Sequence, residues 1–335
     1  MFWICYSARG QWDEIGSFQN EFNLLLLTME LLKDLISIQG LSGDESRITH
    51  YIKSYCERNM ENWVCQPEII YEPEKHDCLI LVFGKPSISI YAHVDTIGYT
   101  VGYENNLIPV GSPVYSESMI LVGEDSQGKI STEIMLFEYP DGDSELKCVF
   151  DRQIEPGTLL SFSPNFVEND RYIQSPYLDN RLGVYVALQV AETIENGAII
   201  FSTYEEHGGN SVSYCANKLY KLYGLNQALI SDITWVTNGV KHGGGVAISL
   251  RDSLIPRRVF LNKIMTLCSE HGVEYQLEVE SSGGSDGSTL QKSHLPIDWC
   301  FIGAPENHVH TNRETVYKSD IESMISIYKL LMAKL

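Results

Sequence analysis

Four short apolar runs of β type in this chain each end at or beside a polar residue able to bind a metal ion. They are "SISIYAHVD" with His93 and Asp95, "AIIFSTYEEHGG" with Glu205 and Glu206, "ALISD" with Asp232, and "WCFIGAPENHVH" with His310. Runs of this length and composition read as strands, and the segments of helical periodicity between them define an α/β layered domain around a largely buried sheet. If the strands are mostly parallel, all four polar ends gather along one edge of the sheet, where α/β folds bind their ligands.

The 335 residues, 44% of them hydrophobic, suffice for one large domain or for a domain carrying an inserted one. Leu31, Leu32, Leu35 and Ile36 recur at helical spacing before Gly40, and Ser42 with Glu45 has the spacing of a capping box ahead of Ile48, Ile52 and Tyr55. Residues 103–173 differ: alternating stretches such as "KISTEIMLFEY" and "ELKCVF", with the turn signals "DSQG" and "DGDS", predict a small inserted β-barrel domain. The flanking segments 29–102 and 174–335 then form the main domain, with further helices predicted over 180–196, over 256–271 and around Ile321, Met324, Ile325, Tyr328 and Leu331. Residues 1–28 lack such patterning and read as a peripheral extension.

Charge narrows the partners. Lys plus Arg is 24 against 44 Asp plus Glu, a formal net charge of −20, which excludes a polyanion such as nucleic acid as the expected partner. No apolar run approaches the ~18 residues that span a bilayer, and the N-terminus lacks the basic region of a signal peptide. The eight cysteines are scattered without a C-x-x-C pair, the pattern of reduced thiols in a cytoplasm.

Each polar run-end has a structural explanation beside a chemical one. His93 and Asp95 in "YAHVD" point to the same face of a strand, so His93 could bind a metal while Asp95 orients it, or the two could be an ordinary buried pair. Asp179 in "SPYLDNRLG" stands before a helix, where it could be an N-cap or a carboxylate bridging two cations ~3.5–4 Å apart. Glu205 and Glu206 could be a solvated acidic turn, or could divide the labour between ligand and proton acceptor. Asp232 could equally be a turn residue, and His310, with His308 beside it, a loop histidine.

Taken in order, H-x-D, L-D-N-R, E-E, D-x-T, G-G-S-D-G and H-T-x-x-E resemble the glutamyl or tetrahedral aminopeptidase family of dinuclear metallopeptidases, the forty-second in the peptidase classification. The likeness runs from about Leu31 to the C-terminus and includes "LLKDLISIQGLSGDE" and "PGTLLSF". It implies a three-layer α/β/α sandwich of the zinc-peptidase type, hydrolysis of the N-terminal peptide bond of short peptides, and two divalent metal ions, Zn²⁺ or Co²⁺. His93, Asp179 and Asp232 would hold one ion and Asp179, Glu206 and His310 the other, with Glu205 as general base and Asp95 orienting the first histidine. A homo-oligomer, from a dimer to a twelve-subunit shell, is implied as well. The chain departs from the family pattern at Thr96, where Glu is usual, at "EEHGG" in place of E-E-V-G, and at Thr311-Asn312 in place of Ser-Pro.

Two rival readings share the same letters. "GGSDG" satisfies G-x-S-x-G around Ser285, "HGGG" at 242–245 resembles an oxyanion-hole motif, and Asp298 with His308 or His310 follows in serine-hydrolase order, although only 25 residues separate Ser285 from His310. A peptide-binding scaffold that keeps the fold without catalysis is the other. Arg251 suits either an acidic substrate side chain or a pair with Asp252.

Overall fold

The computed structural model describes residues 29–209 and 211–335, and the proposed extension over 1–28 lies outside them. Alternation of buried side chains decides the architecture. In the run Cys78–Phe83, Leu79, Leu81 and Phe83 enter one apolar cluster, while Cys78, Ile80 and Val82 enter another on the opposite face. Ile199 and Phe201 part from Ala198 and Ile200 in the same way. A sheet apolar on both faces must be covered twice, and the result is a three-layer α/β/α sandwich.

In chain order the main sheet uses β1 (Glu68–Tyr71), β2 (Leu79–Phe83) and β3 (Ser89–His93). A second sheet follows: β4 (Gly98–Val101), β5 (Leu107–Val110), β6 (Ile120–Asp125), β7 (Gly128–Glu138), β8 (Ser144–Val149) and β9 (Leu159–Phe162). The chain returns through β10 (Val167–Glu168), β11 (Tyr172–Ser175), β12 (Gly197–Ser202), β13 (Gln227–Trp235), β14 (Ala247–Arg251), β15 (Gln276–Val279), β16 (Asp298–Asn307) and β17 (Glu314–Tyr317). The helices are α1 (residues 29–37), α2 (Ser46–Asn59), α3 (Leu178–Ala191), α4 (Ser211–Tyr223), α5 (Arg258–Glu270), α6 (Asp286–Lys292) and α7 (Lys318–Lys334).

The main sheet runs β1-β2-β12-β3-β13-β16-β17-β11-β10, with β14 and β15 branching from β16. Its centre is parallel: β3 pairs with β12 and β13, and β13 with β16, so the carboxyl ends of these four strands face the same way. The second sheet runs β5-β4-β9-β6-β7-β8, and an Asn106–Lys147 bridge brings its two ends together into a nearly closed barrel. Ile97, Tyr99, Leu121, Ile134, Leu160 and Phe162 fill its interior. Among the described residues no helix is long and apolar enough to cross a membrane, and the described cysteines are free thiols, all but Cys65 buried.

One close approach fixes α3 against the sheet. A Cβ on Gly183 would stand 2.2 Å from the Ser231 carbonyl oxygen and from Asn180 Oδ1. With no side chain there, Asn180 Nδ2 donates to the Ser231 carbonyl at 2.8 Å and Ser231 Oγ to the Gly183 carbonyl at 3.0 Å. Gly183→Ala is therefore expected to destabilise the protein by roughly 1–3 kcal/mol through overpacking, read as a lower thermal midpoint. An unchanged midpoint would show that α3 can shift freely.

Candidate metal centre

The parallel pairing places Ser202 of β12 opposite His93 of β3, so the segment Thr203–Glu206 leaves the sheet beside that histidine. Asp232 sits within β13 opposite Gly303 of β16, and His310 follows the end of β16. All the polar residues read from the four strand ends therefore meet at one edge.

Asp179 joins them from the start of α3. Its Oδ1 is 3.2 Å from His93 Nε2 and its Oδ2 is 3.2 Å from His310 Nε2, so the two carboxylate oxygens serve opposite sides of the site. Asp232 Oδ2 lies 3.6 Å and Glu205 Oε2 4.0 Å from His93 Nε2, and Glu206 Oε2 is 3.3 Å from His310 Nε2. Ligand atoms of His93, Asp179 and Asp232 all fall within 4.8 Å of one another, as do those of Asp179, Glu206 and His310. Capping of α3 falls instead to Asn180, whose Oδ1 accepts the Gly183 N–H at 2.9 Å.

Asp95 is the hub behind these groups. It is fully buried and accepts hydrogen bonds from Ser42 Oγ at 2.6 Å and from the backbone N–H groups of Glu205 and Glu206, each at 3.0 Å. His93 Nδ1 lies 3.2 Å from the Asp95 carbonyl and 3.5 Å from its Oδ1. The expected capping box is corrected here: neither Ser42 nor Glu45 caps α2 by its side chain. Ser42 is bound to Asp95, and Glu45 accepts the Tyr204 N–H at 3.0 Å. Both residues serve the edge rather than the helix.

Glu314 is the residue to which the sequence reading assigned no role, although it closes the H-T-x-x-E motif. Fully buried, it accepts the His310 N–H at 3.0 Å and the Asp179 N–H at 3.2 Å, locking the two into one geometry. Ser112, beyond β5, presents its carbonyl 3.1 Å from His310 Nδ1, and His207 Nδ1 accepts the Gly111 N–H at 3.1 Å. The departure "EEHGG" thus ties the turn after β12 to the second sheet.

The charges within the cluster shift one another strongly. Burial opposes charge on His93, but Asp232, Asp179, Asp95 and Glu205 hold its imidazole well above the usual range. Against the same opposition Asp179 and Glu206 push His310 up to about 12. Burial lifts Glu205 well above the carboxylate range, with His93 opposing and Glu206, Asp232 and Asp286 adding to it. Burial and Asp179 push Glu206 up to about 7, against the pull of His310. Glu206 Oε1 is buried with no hydrogen-bond partner. A mixed imidazole and carboxylate set with an unsatisfied buried oxygen fits a divalent cation.

The serine-hydrolase elements have other partners. Ser285 caps α6, its Oγ accepting the Gly287 N–H at 3.2 Å. Asp298 is paired with Arg257, and both ring nitrogens of His310 are engaged as described. In "HGGG", the N–H groups of Gly243 and Gly245 turn to the Asp320 carboxylate. Arg251 does not pair with the Asp252 carboxylate, since its Nε donates to the backbone carbonyls of Asp252 and Glu280.

The fold is shared with aminopeptidases of known structure. Aminopeptidase APDkam598 of Desulfurococcus kamchatkensis is similar at a TM-score of 0.80 and 19% identity, over 92% of this chain and 95% of that one. The TET1 peptidase of Pyrococcus horikoshii, which can assemble into a tetrahedron or a large octahedral shell, is similar at 0.75 and 22% identity, over 92% and 100%. A Bacillus subtilis protein with a provisional aminopeptidase name, YhfE, is 22% identical over 343 residues, covering 88% of this chain and 94% of the relative. Residues 141–327 match the sequence pattern of the M42 glutamyl aminopeptidase family, and the chain belongs to that family. It is accordingly a peptidase of a metal-dependent family, and the scaffold reading gives way to an enzyme.

If a divalent cation is held by His93 and His310, whose imidazoles lie above their ordinary range, its binding should release protons, and apparent affinity should go on rising with pH through and above neutrality. Titration calorimetry in buffers of different ionisation enthalpy measures the release directly. Affinity independent of pH would place the bound cation elsewhere.

Proposed function

We propose that this chain is a dinuclear metallo-aminopeptidase that removes the N-terminal residue from short peptides. The observation that supports it best is the Asp179 carboxylate, which offers one oxygen to each histidine-containing group. His93, Asp179 and Asp232 would hold one divalent ion and Asp179, Glu206 and His310 the other, zinc or cobalt suiting the donors. When bound, the pair supplies Lewis acidity and brings a water's pKa toward neutrality.

Glu205 faces the cavity without a place in either ligand group, which leaves its carboxylate free to take the proton of the attacking water. Having taken it, Glu205 delivers it to the departing amine. Asp95 holds the Glu205 and Glu206 N–H groups together, so base and ligand keep fixed positions while the proton moves. Asp95 orients His93 from behind, and Glu314 does the same for Asp179 and His310.

Residues 29–102 and 174–335 are proposed as the catalytic unit and 103–173 as an insert serving assembly and substrate access. Met135, Leu136, Phe137, Tyr139 and Val149 are exposed on and beside strands of the second sheet, a surface suited to burial against another copy. A homo-oligomer between dimer and dodecamer is consistent with this, and so is the cytoplasmic location suggested by the cysteines. Light scattering should return a multiple of the chain mass, and a monomer at micromolar concentration would overturn the assembly.

Glu205→Gln is expected to keep cation binding near normal while lowering turnover of aminoacyl chromogenic substrates by about 10²–10⁴-fold. Near-normal turnover in that variant would remove Glu205 from the role. Metal-stripped protein, reloaded singly with Zn²⁺, Co²⁺ or Mn²⁺, should regain activity. No release with any ion would sink the aminopeptidase reading.

A further inference from the structure

The cavity at the strand edge, of about 470 Å³, is large enough for a substrate side chain in addition to the reacting bond. Its lining includes His93, Asp179 and Glu205 and also Trp235, Asp252, Glu278 and Glu280. These last carboxylates belong to neither ligand group. Asp252 and Glu278 are buried, and among the described residues none of the three forms an ion pair. The nearby cation in sequence, Arg251, is spent on backbone carbonyls and does not line the cavity.

Neutral donors hold these acids, the Thr234 hydroxyl on Glu278 and the Leu254 N–H on Asp252 at 2.6 Å, while Arg251 and Lys292 act on Asp252 without an ion pair, so an incoming cation would be their first direct ionic partner. Burial lifts Asp252 and Glu278 above their ordinary range, and an incoming positive charge would restore their ionisation. Trp235, 40% exposed, adds an aromatic surface for the hydrocarbon stem or the charged head of a long basic side chain. A substrate glutamate would meet like charge from the three carboxylates that line this wall. The formal net charge of −20 steers cationic peptides toward the chain and acidic ones away.

Resting on the aminopeptidase reading above, we propose that this acidic arm receives the side chain of the N-terminal residue, so that peptides beginning with lysine or arginine are preferred. Asp252, Glu278 and Glu280 supply the charge, and Trp235 the stacking surface.

Norleucine isolates the effect, because it keeps the α-amino group and the length of the lysine chain but not its charge. With cation-loaded protein, kcat/KM for lysyl p-nitroanilide should exceed that for norleucyl p-nitroanilide by about 10-fold or more, and glutamyl p-nitroanilide should be the poorest of the three. Glu280→Gln, at a half-exposed position, and Asp252→Asn should each lower the lysine-to-norleucine ratio, mainly through KM. A ratio at or below one in the wild type, or a ratio unmoved in both variants, overturns the proposal. If no aminoacyl substrate is released at all, the aminopeptidase reading fails separately. Calorimetry of L-lysinamide against L-norleucinamide on the Glu205→Gln protein then decides the pocket: tighter lysinamide binding supports it and equal binding overturns it.

Discussion

The Asp95 carboxylate holds the reaction edge together. A carboxylate with no exposure to water is tolerable only when its oxygens are fully hydrogen-bonded, and here the donors come from three separate parts of the chain: the Ser42 hydroxyl, the Glu205 and Glu206 amides, and the His93 ring beside them. Burial pushes its pKa upward, but His93, Ser42 and the Glu205 amide outweigh it and keep the group ionised. Arg181, wholly buried in α3, contributes positive potential to Asp95 and Glu45 while burial lowers its own pKa to about 10. The turn after β12 takes its shape from this charge, so Glu205 and Glu206, the proposed base and ligand, are both positioned through their backbone amides by one buried carboxylate.

The strand-end residues were legible because period and position suffice for them. An apolar run of strand length must lie in the sheet, parallel order puts its last polar residue at the common edge, and His93, Glu205, Glu206, Asp232 and His310 follow. What stayed hidden depends on contacts remote in sequence. Ser42 and Glu45 have the letters of a capping box, yet acceptor and donor groups 53 and 159 residues away claim them. Asp179 resembled an N-cap, but Asn180 takes that task. Helix α4, which buries Ser211, Val212, Cys215, Ala216 and Leu219, lies outside the predicted helices although its apolar residues recur at helical spacing. Glu314 was visible as a letter but not as a bridge, since nothing local shows that two amides 131 residues apart converge on it.

The nearly closed second sheet is part of the site rather than an ornament on it. Immediately after β5 the chain passes the edge, where Gly111 donates to His207, the Ser112 carbonyl faces His310, and the Val114 N–H donates to the His310 carbonyl at 2.9 Å. The orientation of one imidazole is thereby set by a segment of the other sheet. Movement of residues 111–114 relative to the sandwich would be felt at His310 and at the turn after β12.

The Glu314 bridge also governs when the centre can come into being. Its two amides belong to Asp179 and His310, and the carboxylate itself rides on β17, which pairs with β16 and β11. A growing chain that has already folded β3, β12 and β13 still lacks His310 and the clamp that squares it against Asp179. The geometry that relates Asp179 to His310 is thus complete only once β17, the last strand of the chain, has docked between β16 and β11.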